Sequence, residues 1–496
     1  MNTKRIFTLL LCAMITASAV SCGAPAETET TAEDTADVET VETEAIPEDD
    51  MEARKLVADN LPDKDFGGED FTILGYDFTY GYMYAEELTG DVFNDALYNR
   101  NTDVAERFNV KMNILGEADY SGTSEIIKTA VLSGEDTYDL VAYHYVQMGN
   151  DLLSDVYMNF RDIPYINFEN PWWNSSTDEL LTYDGKTFLA FGALDLTTIS
   201  QASCYFYNMD MAEQYELEDI FTLVNEGKFT IDKVAEMGSI VYKDTDGNGV
   251  KDATDQYGFG FSRKGDADAY LQAFGKKLVE FNEDGNIALD RYYDEKLVSI
   301  MEKLYTLQAN EEWVWSEDAW NVGFNRFIEN TILFGHGYIA MTQWGMRDSE
   351  IDYAVLPLPK WDEAQDRYYI TVGGSGDAQA VLRTASNLEM IGVITEAMNA
   401  ESWKTCEGAY YENTIKYKST RAEENVEILD MMMESRIFDF GSVYGGWSSY
   451  GGGATFWIHE VLNKDSADIA SYYQSKKTTW EGYMDSVITA FENYEG

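Results

Sequence analysis

The first ordered pattern along the chain begins at "FGGEDFTILGYDF" (66–78), where the short apolar run Phe71–Leu74 follows a Gly-Gly turn. Short apolar runs bounded by turn residues read as strands, and apolar positions three and four apart read as one face of a helix. On that basis a helix is expected over 94–108, with Leu97, Val104, Ala105 and Phe108 on one side. A strand over 111–115, a helix over 123–133 closed by Gly134, and a buried strand at "YDLVAYHY" (138–145) come next. This β-α-β-α-β order with short connections predicts a parallel sheet covered by helices on both faces. Ligands on such sheets bind beyond the carboxyl ends of the strands, where Tyr76, Asp77, Tyr143 and His144 fall.

A second region opens at "ASCYFYNMDM" (202–211) and repeats the α/β alternation. It runs through helical "TIDKVAEMGSIVY", the strand "QYGFGFS", a hairpin around "NEDGN" (282–286), and a helix with Leu297, Ile300, Met301, Leu304 and Tyr305 on one face. Strands are expected at "YIAMTQW" (338–344) and "DYAVLPLP" (352–359), and the last stretch is mostly helical, with Val426, Leu429, Met433 and Ile437 forming a stripe. The chain of 496 residues is long enough for two or three domains with a sizeable core.

The N-terminus carries no such periodicity. "MNTKRIFTLLLCAMITASAVSC" has a basic start, an apolar run too short to span a bilayer, and small residues before Cys22, the pattern of a secretory signal. Its end resembles a lipobox, in which Cys22 is acylated and becomes the mature N-terminus, although Ala19 stands where that motif usually has Leu; a soluble secreted protein is the alternative. Residues 23–53 hold twelve acids and no Lys or Arg, so like charges extend them, and a disordered acidic tether over 23–60 is expected. A net charge of −54 disfavours nucleic acid and anionic membrane surfaces as direct partners, leaving membrane contact to the lipid anchor alone. Beyond Cys22 only Cys204 and Cys406 remain after the signal, with no CxxC; they form either a disulfide or two buried thiols.

Two motifs carry candidate chemistry. In "DTDGNGVKDATD", Asp244, Asp246, Asn248, Asp252 and Asp255 occupy positions 1, 3, 5, 9 and 12 of a calcium loop, with Gly249 at the turn and Val250 offering its carbonyl at position 7. Asp255 replaces the usual Glu, and there is no sister loop, so a structural Ca2+ is expected; an acidic turn that binds nothing is the alternative. The second motif is aromatic: Trp and Tyr cluster in polar or Gly-rich surroundings at "NPWWNSS" (170–176), "EEWVWSEDAWN" (311–321), "MTQWGMRD" (341–348) and "SVYGGWSSYGGG" (442–453). A pyranose offers an apolar C–H face to a ring and hydroxyls to neighbouring polar groups, so Trp173, Trp320, Trp344, Tyr444 and Trp447 are candidate sugar contacts. The histidines His144, His336 and His459 form no HExxH, and neither a GxSxG elbow nor a P-loop occurs; "VGGSGDA" (372–378) lacks the spacing of a phosphate cradle.

In "YFYNMDMAEQYEL…GKFTIDKVAEM", "DTDGNGVKDATDQYGF" and "GHGYIAMTQWGMRD…DYAVLPLPK", in that order, the chain resembles bacterial extracellular solute-binding proteins of carbohydrate-type ABC importers, the group that includes maltose-binding protein. The resemblance covers about residues 65–496. It implies a two-lobed, type II periplasmic-binding-protein-like α/β fold with a ligand cleft between lobes. Lobe 1 would comprise 61–204 and 373–437, and lobe 2 would comprise 205–372 and 438–496, with hinges near 204 and 373. It further implies a non-enzymatic protein on the outer face of the cytoplasmic membrane, capturing an oligosaccharide for an ABC transporter permease. Trp344 would contact the sugar from lobe 2, and Asp77, Tyr143 and His144 from lobe 1. An exported glycoside hydrolase and a surface carbohydrate-binding adhesin share the same composition and remain alternatives.

Overall fold

The computed structural model describes residues 51–116, 118–263, 265–346, 349–414, 422–446 and 453–495. The signal segment, Cys22 and Trp447 lie outside the described residues. No helix among the described residues is long and apolar enough to cross a membrane.

Strands β1 (Glu69–Leu74), β2 (Val110–Leu115) and β3 (Leu140–His144) are parallel, with Phe71 opposite Met112 and Leu74 opposite Val141. The helices between them start and stop where the sequence supplies caps. Asp91 accepts the N–H groups of Phe93 and Asn94 ahead of Val92–Phe108, and Asn109 ends that helix in the left-handed region. Asp119 caps Tyr120–Ser133, and Gly134, at φ 73°, ends it.

The chain then enters a second sheet. It is built from β4 (Ser203–Asn208), β5 (Tyr257–Ser262), β6 (Val314–Glu317), β7 (Ile332–Tyr338) and β8 (Tyr353–Leu356), in the order β6-β5-β7-β4-β8. β5 runs parallel to β6 and β7, while β4 is antiparallel to β7 and β8. After β9 (Ile370–Thr371) the chain returns to the first sheet as β10 (Asp377–Ala380), antiparallel to β3, giving the order β10-β3-β1-β2; β11 (Arg436–Ile437) pairs with β9. The outward and return passages touch: Ala202 bridges Val372, and the N–H of Gly373 donates to the Gln201 carbonyl at 2.8 Å. Two lobes, each a mixed sheet with helices, are thereby joined by a paired crossing.

Three expectations need correction. The stretch 338–344 is not one strand: β7 ends at Tyr338 and Met341–Trp344 is a helical turn. The tether stops short of residue 60, because Met51–Arg54 is helical and docked: Arg54 pairs with Glu407 at 2.8 Å and lies over Trp403, and Asp59 pairs with Arg107. The C-terminal segments also do not divide cleanly between lobes. The helix Ala422–Glu434, expected in lobe 1, packs on β8, where Asn425 accepts the Val355 N–H at 3.2 Å. Ile469–Glu492, expected in lobe 2, packs against the second-lobe helix Glu295–Asn310 but also sets Phe491 against Phe188 of the first lobe, 4.8 Å between ring centroids. It is a brace across both lobes, because its buried stripe has apolar partners on each. Cys204 and Cys406 are both buried free thiols.

The second lobe depends on a close approach of helix to sheet. Ile231–Val241 lies so near β5 that a Cβ on Gly258 would come within 2.2 Å of the Gly238 Cα. Gly258→Ala is therefore expected to destabilise the fold by about 3 kcal/mol, as overpacking of a rigid backbone contact does; urea denaturation monitored by circular dichroism measures it.

Candidate functional site

The carboxyl ends of β1 and β3 carry an aromatic group. Past Leu74, Gly75 donates its N–H to the Leu115 carbonyl at 2.7 Å, turning the chain so that Tyr76 reaches the junction, where its hydroxyl donates to the Ser375 carbonyl at 2.6 Å. The His144 ring sits 4.7 Å from Tyr120 and 6.2 Å from Tyr76, centroid to centroid. Burial pulls the pKa of His144 down to about 4, so the imidazole is neutral at physiological pH and adds no charge to the site. Phe78, 45% exposed, projects beyond this group, and Asp77 beside it is exposed.

The second lobe supplies the facing wall. Trp344, 57% exposed, meets Phe78 edge-on, with centroids 6.2 Å apart and planes at 78°. Such edge-to-face geometry is favourable for ring quadrupoles. Two partly exposed rings, one from each lobe, therefore close the mouth between the sheets. The floor is the segment Gly373–Gly376. A Cβ on Gly373 would lie 3.0 Å from the Tyr338 ring, and one on Gly374 would lie 3.1 Å from Val146 and 3.8 Å from His144. The "GGSG" run is thus the return crossing itself, with glycine at the positions that pass closest to Tyr338, Val146 and Val372.

The structure sorts the expected contacts unevenly. Buried His144 lies beside Tyr76 and Tyr120, Asp77 is exposed next to Phe78, and Trp344 meets Phe78. Tyr143 joins none of these contacts: alternate strand residues face opposite sides of a sheet, so it points away from His144, into the core. Its hydroxyl donates to the Asp151 carboxylate and meets Tyr157 at 3.2 Å, and burial pushes its pKa far up. Trp173 is also internal. Its indole N–H and that of Trp172 each donate to the carboxylate of buried Glu396 at 2.9 Å, and Asn170 adds a third donor at 2.6 Å. Tyr444 is fully buried, and its hydroxyl accepts the Leu189 N–H at 3.2 Å. Trp320 is 63% exposed, with its ring laid over Gly265, further along the second sheet. Phe78, Tyr120 and Tyr338 were not anticipated. Phe78 could have been, since "GYDFTY" sets an aromatic on each side of Asp77, whereas Tyr120 looks like an ordinary first-turn helix residue.

The acidic loop is closed by a bridge between Lys243 and Gln256. Asp244 accepts the N–H groups of Gly247 and Gly249, both at 2.8 Å, and the two glycines adopt φ of 72° and 71°. Buried Asp255 accepts the N–H of Thr245 at 3.0 Å and of Asp252 at 3.1 Å. Carboxylate oxygens of Asp244, Asp246 and Asp255 lie within 4.8 Å of one another. Asn248 reaches Asp246 and Asp252 through its amide at 2.8 and 3.0 Å, so all five side chains belong to one cluster. Each carboxylate pair at such range repels by about 1 kcal/mol even at the dielectric of water, so the geometry suits a hard divalent cation with oxygen ligands. Val250 is 60% exposed at the tip of the loop.

The sequence matches no protein-family model. It likewise matches no curated protein. The fold does have counterparts among solved structures. UgpB from Mycobacterium tuberculosis, in complex with glycerophosphocholine, superposes with a TM-score of 0.54 at 15% identity, over 84% of this chain and 99% of that one. A cyclo/maltodextrin-binding protein complexed with maltotetraose gives 0.53 at 13% identity, over 86% and 97%. An ABC substrate-binding protein from Listeria monocytogenes, in complex with cycloalternan, gives 0.52 at 12% identity, over 85% and 99%. The chain has the two-lobed, type II fold of the periplasmic-binding-protein class.

Replacing Glu396 with Ala strands the two buried indole N–H groups of Trp172 and Trp173 and removes the acceptor of the partly buried Asn170 amide. Glu396→Ala is expected to cost about 3 kcal/mol and to leave ligand binding at the mouth intact in the protein that remains folded; calorimetric melting and a binding isotherm on one sample check both.

Proposed function

We propose that this protein is an extracellular solute-binding protein that captures a carbohydrate between its two lobes and hands it, chemically unchanged, to an ABC-type importer. The observation that carries the reading is the meeting of Phe78 and Trp344 across the mouth, over a floor made by the glycine-rich return crossing. Aromatic rings from opposite lobes offer two faces to the C–H surfaces of a sugar, and Asp77 offers an acceptor for its hydroxyls. Capture needs only that the closed form hold ligand better than the open one. Support comes from the fold, which proteins bound to cycloalternan and maltotetraose share.

In this reading Cys22 carries the lipid, the acidic segment up to about residue 50 spaces the protein from the membrane, and the permease meets the closed lobes. The acidic loop is assigned a structural Ca2+ held by Asp244, Asp246, Asn248, Asp252 and Asp255, with the Val250 carbonyl completing the set. The ion would offset the mutual repulsion of the carboxylates and pin the turn that feeds β5. It lies at the opposite end of that strand from the mouth, because Gln256 precedes β5 while Arg263 follows it.

The test is a thermal-shift and calorimetric screen of neutral oligosaccharides. Stoichiometric binding without product is expected, and turnover would point to a hydrolase. Trp344→Ala is expected to weaken the bound sugar by about tenfold with little change in melting temperature, since the ring is largely solvent-exposed. Chelation with EDTA should lower the melting temperature, and re-addition of Ca2+ should restore it. The affinity for a short oligosaccharide should stay within about twofold throughout, because binding the native state raises stability without touching a remote site.

A further inference from the structure

The carboxyl end of β5 and the start of β4 carry two side chains with donors that reach no acceptor. Arg263 follows β5, and its Nε is buried without a hydrogen-bond partner. Among the described residues its guanidinium forms no ion pair or hydrogen bond, and its backbone N–H donates to the Glu317 carbonyl at 3.0 Å. Gln201, 5% exposed, precedes β4, and its Nε2 is likewise buried and unpartnered. Buried N–H groups are nearly always bonded, because an unpaired one has given up water and gained nothing.

The acids near Arg263 are engaged by other groups. Asp266 accepts the Ser262 N–H at 3.0 Å and pairs with His336 at 2.8 Å. Asp268 pairs with His459, and Glu317 accepts the Trp315 indole N–H at 2.5 Å. The chain holds 89 Asp and Glu against 35 Lys and Arg, so a guanidinium readily finds a carboxylate in it. Arginine is seldom drawn inward without one.

The two donors belong to one place. Continuing the register in which Gly260 faces Gly335 brings Arg263 level with Tyr338, the last residue of β7. On the other side of β7, Ser203 of β4 faces Tyr338, and Gln201 lies two residues before it. With strands about 5 Å apart, the backbones of Arg263 and Gln201 stand about 10 Å from each other, with Tyr338 between them. Tyr338 is the ring that the floor of the mouth passes, 3.0 Å from a Cβ on Gly373, and the Gln201 carbonyl holds the Gly373 N–H. The turn bearing Trp344 leaves β7 just beyond.

We propose that Arg263 and Gln201 form a subsite for a carboxylate on the captured sugar, so that the preferred ligand is an oligosaccharide containing uronic acid. The Nε and the neighbouring Nη of a guanidinium offer two parallel N–H groups that match the two oxygens of a carboxylate. The Gln201 amide donates to a hydroxyl beside it. The inference rests on the capture reading and adds a charged group to its ligand. At a net charge of −54 the protein repels anions at a distance, and an unpaired guanidinium at the point of contact offsets that repulsion for this one group.

The test is isothermal titration of the whole protein with galacturonate, glucuronate and mannuronate oligosaccharides, each beside its carboxyl-reduced, neutral counterpart. In the series that binds, the acid should bind about tenfold more tightly than its counterpart, and salt at about 0.5 M should shrink the difference. Arg263→Gln should bring the acid down to the affinity of the neutral sugar. Arg263→Lys keeps the charge and loses the fork; it serves should Arg263→Gln disturb the fold, and it should cut the preference by about threefold. An acid that binds no more tightly than its counterpart, or a preference untouched by both substitutions, overturns the carboxylate subsite and leaves the capture reading standing. No binding by any acid or neutral member overturns both.

Discussion

The paired crossing between lobes is the constraint on which the rest of the structure depends. Ala202 and Val372 form a single bridge, and Gly373 adds one hydrogen bond to Gln201, so the outward and return passages run side by side. Because the return passage continues as "GGSG", the backbone itself forms the floor of the mouth, and the aromatic walls approach it to contact distance. A side chain at Gly373 or Gly374 would press on Tyr338 or on Val146 and separate the walls from their floor. The crossing thus sets both how the lobes are connected and how deep a ligand can sit. The helix Ile469–Glu492 adds a brace that touches both lobes, so relative motion must slide apolar side chains past one another rather than simply bend two strands.

Much of the architecture was legible because local signals and long-range needs agreed. The apolar run at Phe71–Leu74 and Gly134 each marked an element that packing then confirmed, whereas the Asp91 and Asp119 caps set helix starts earlier than the periodicity had marked. The strand expected over 338–344 shows where that agreement failed: the apolar residues Ile339, Ala340 and Met341 are buried, but as a turn on the end of β7, which a short apolar run cannot distinguish from a strand. The docked residues 51–60 were hidden by composition, since their acids read as tether until Arg107 supplied a partner for Asp59 and Arg54 one for Glu407.

The candidate site was legible only in part, for a related reason. Aromatic residues in polar surroundings serve two ends, and sequence alone does not separate them. Trp172 and Trp173 lie among Asn and Ser because their indoles and Asn170 converge on Glu396, a residue more than two hundred positions away. Tyr143 and His144 are adjacent yet face opposite sides of β3, so a one-residue difference decides between core and mouth. By contrast, Asp77 was expected from its position after β1, and Trp344 from the resemblance alone. The calcium-loop spacing was the most specific local pattern, and its carboxylates converge, because a loop of that kind carries its geometry in consecutive residues rather than in distant partners.

The central claim is that two lobes close around a sugar and release it unaltered. Small-angle X-ray scattering of the intact protein, recorded while a neutral oligosaccharide that binds is titrated in and the sugar then recovered for chromatography, tests it most directly. The account predicts a radius of gyration that falls as ligand saturates the protein, with the sugar recovered whole. A radius that does not change at saturation, or a sugar recovered in fragments, would contradict it.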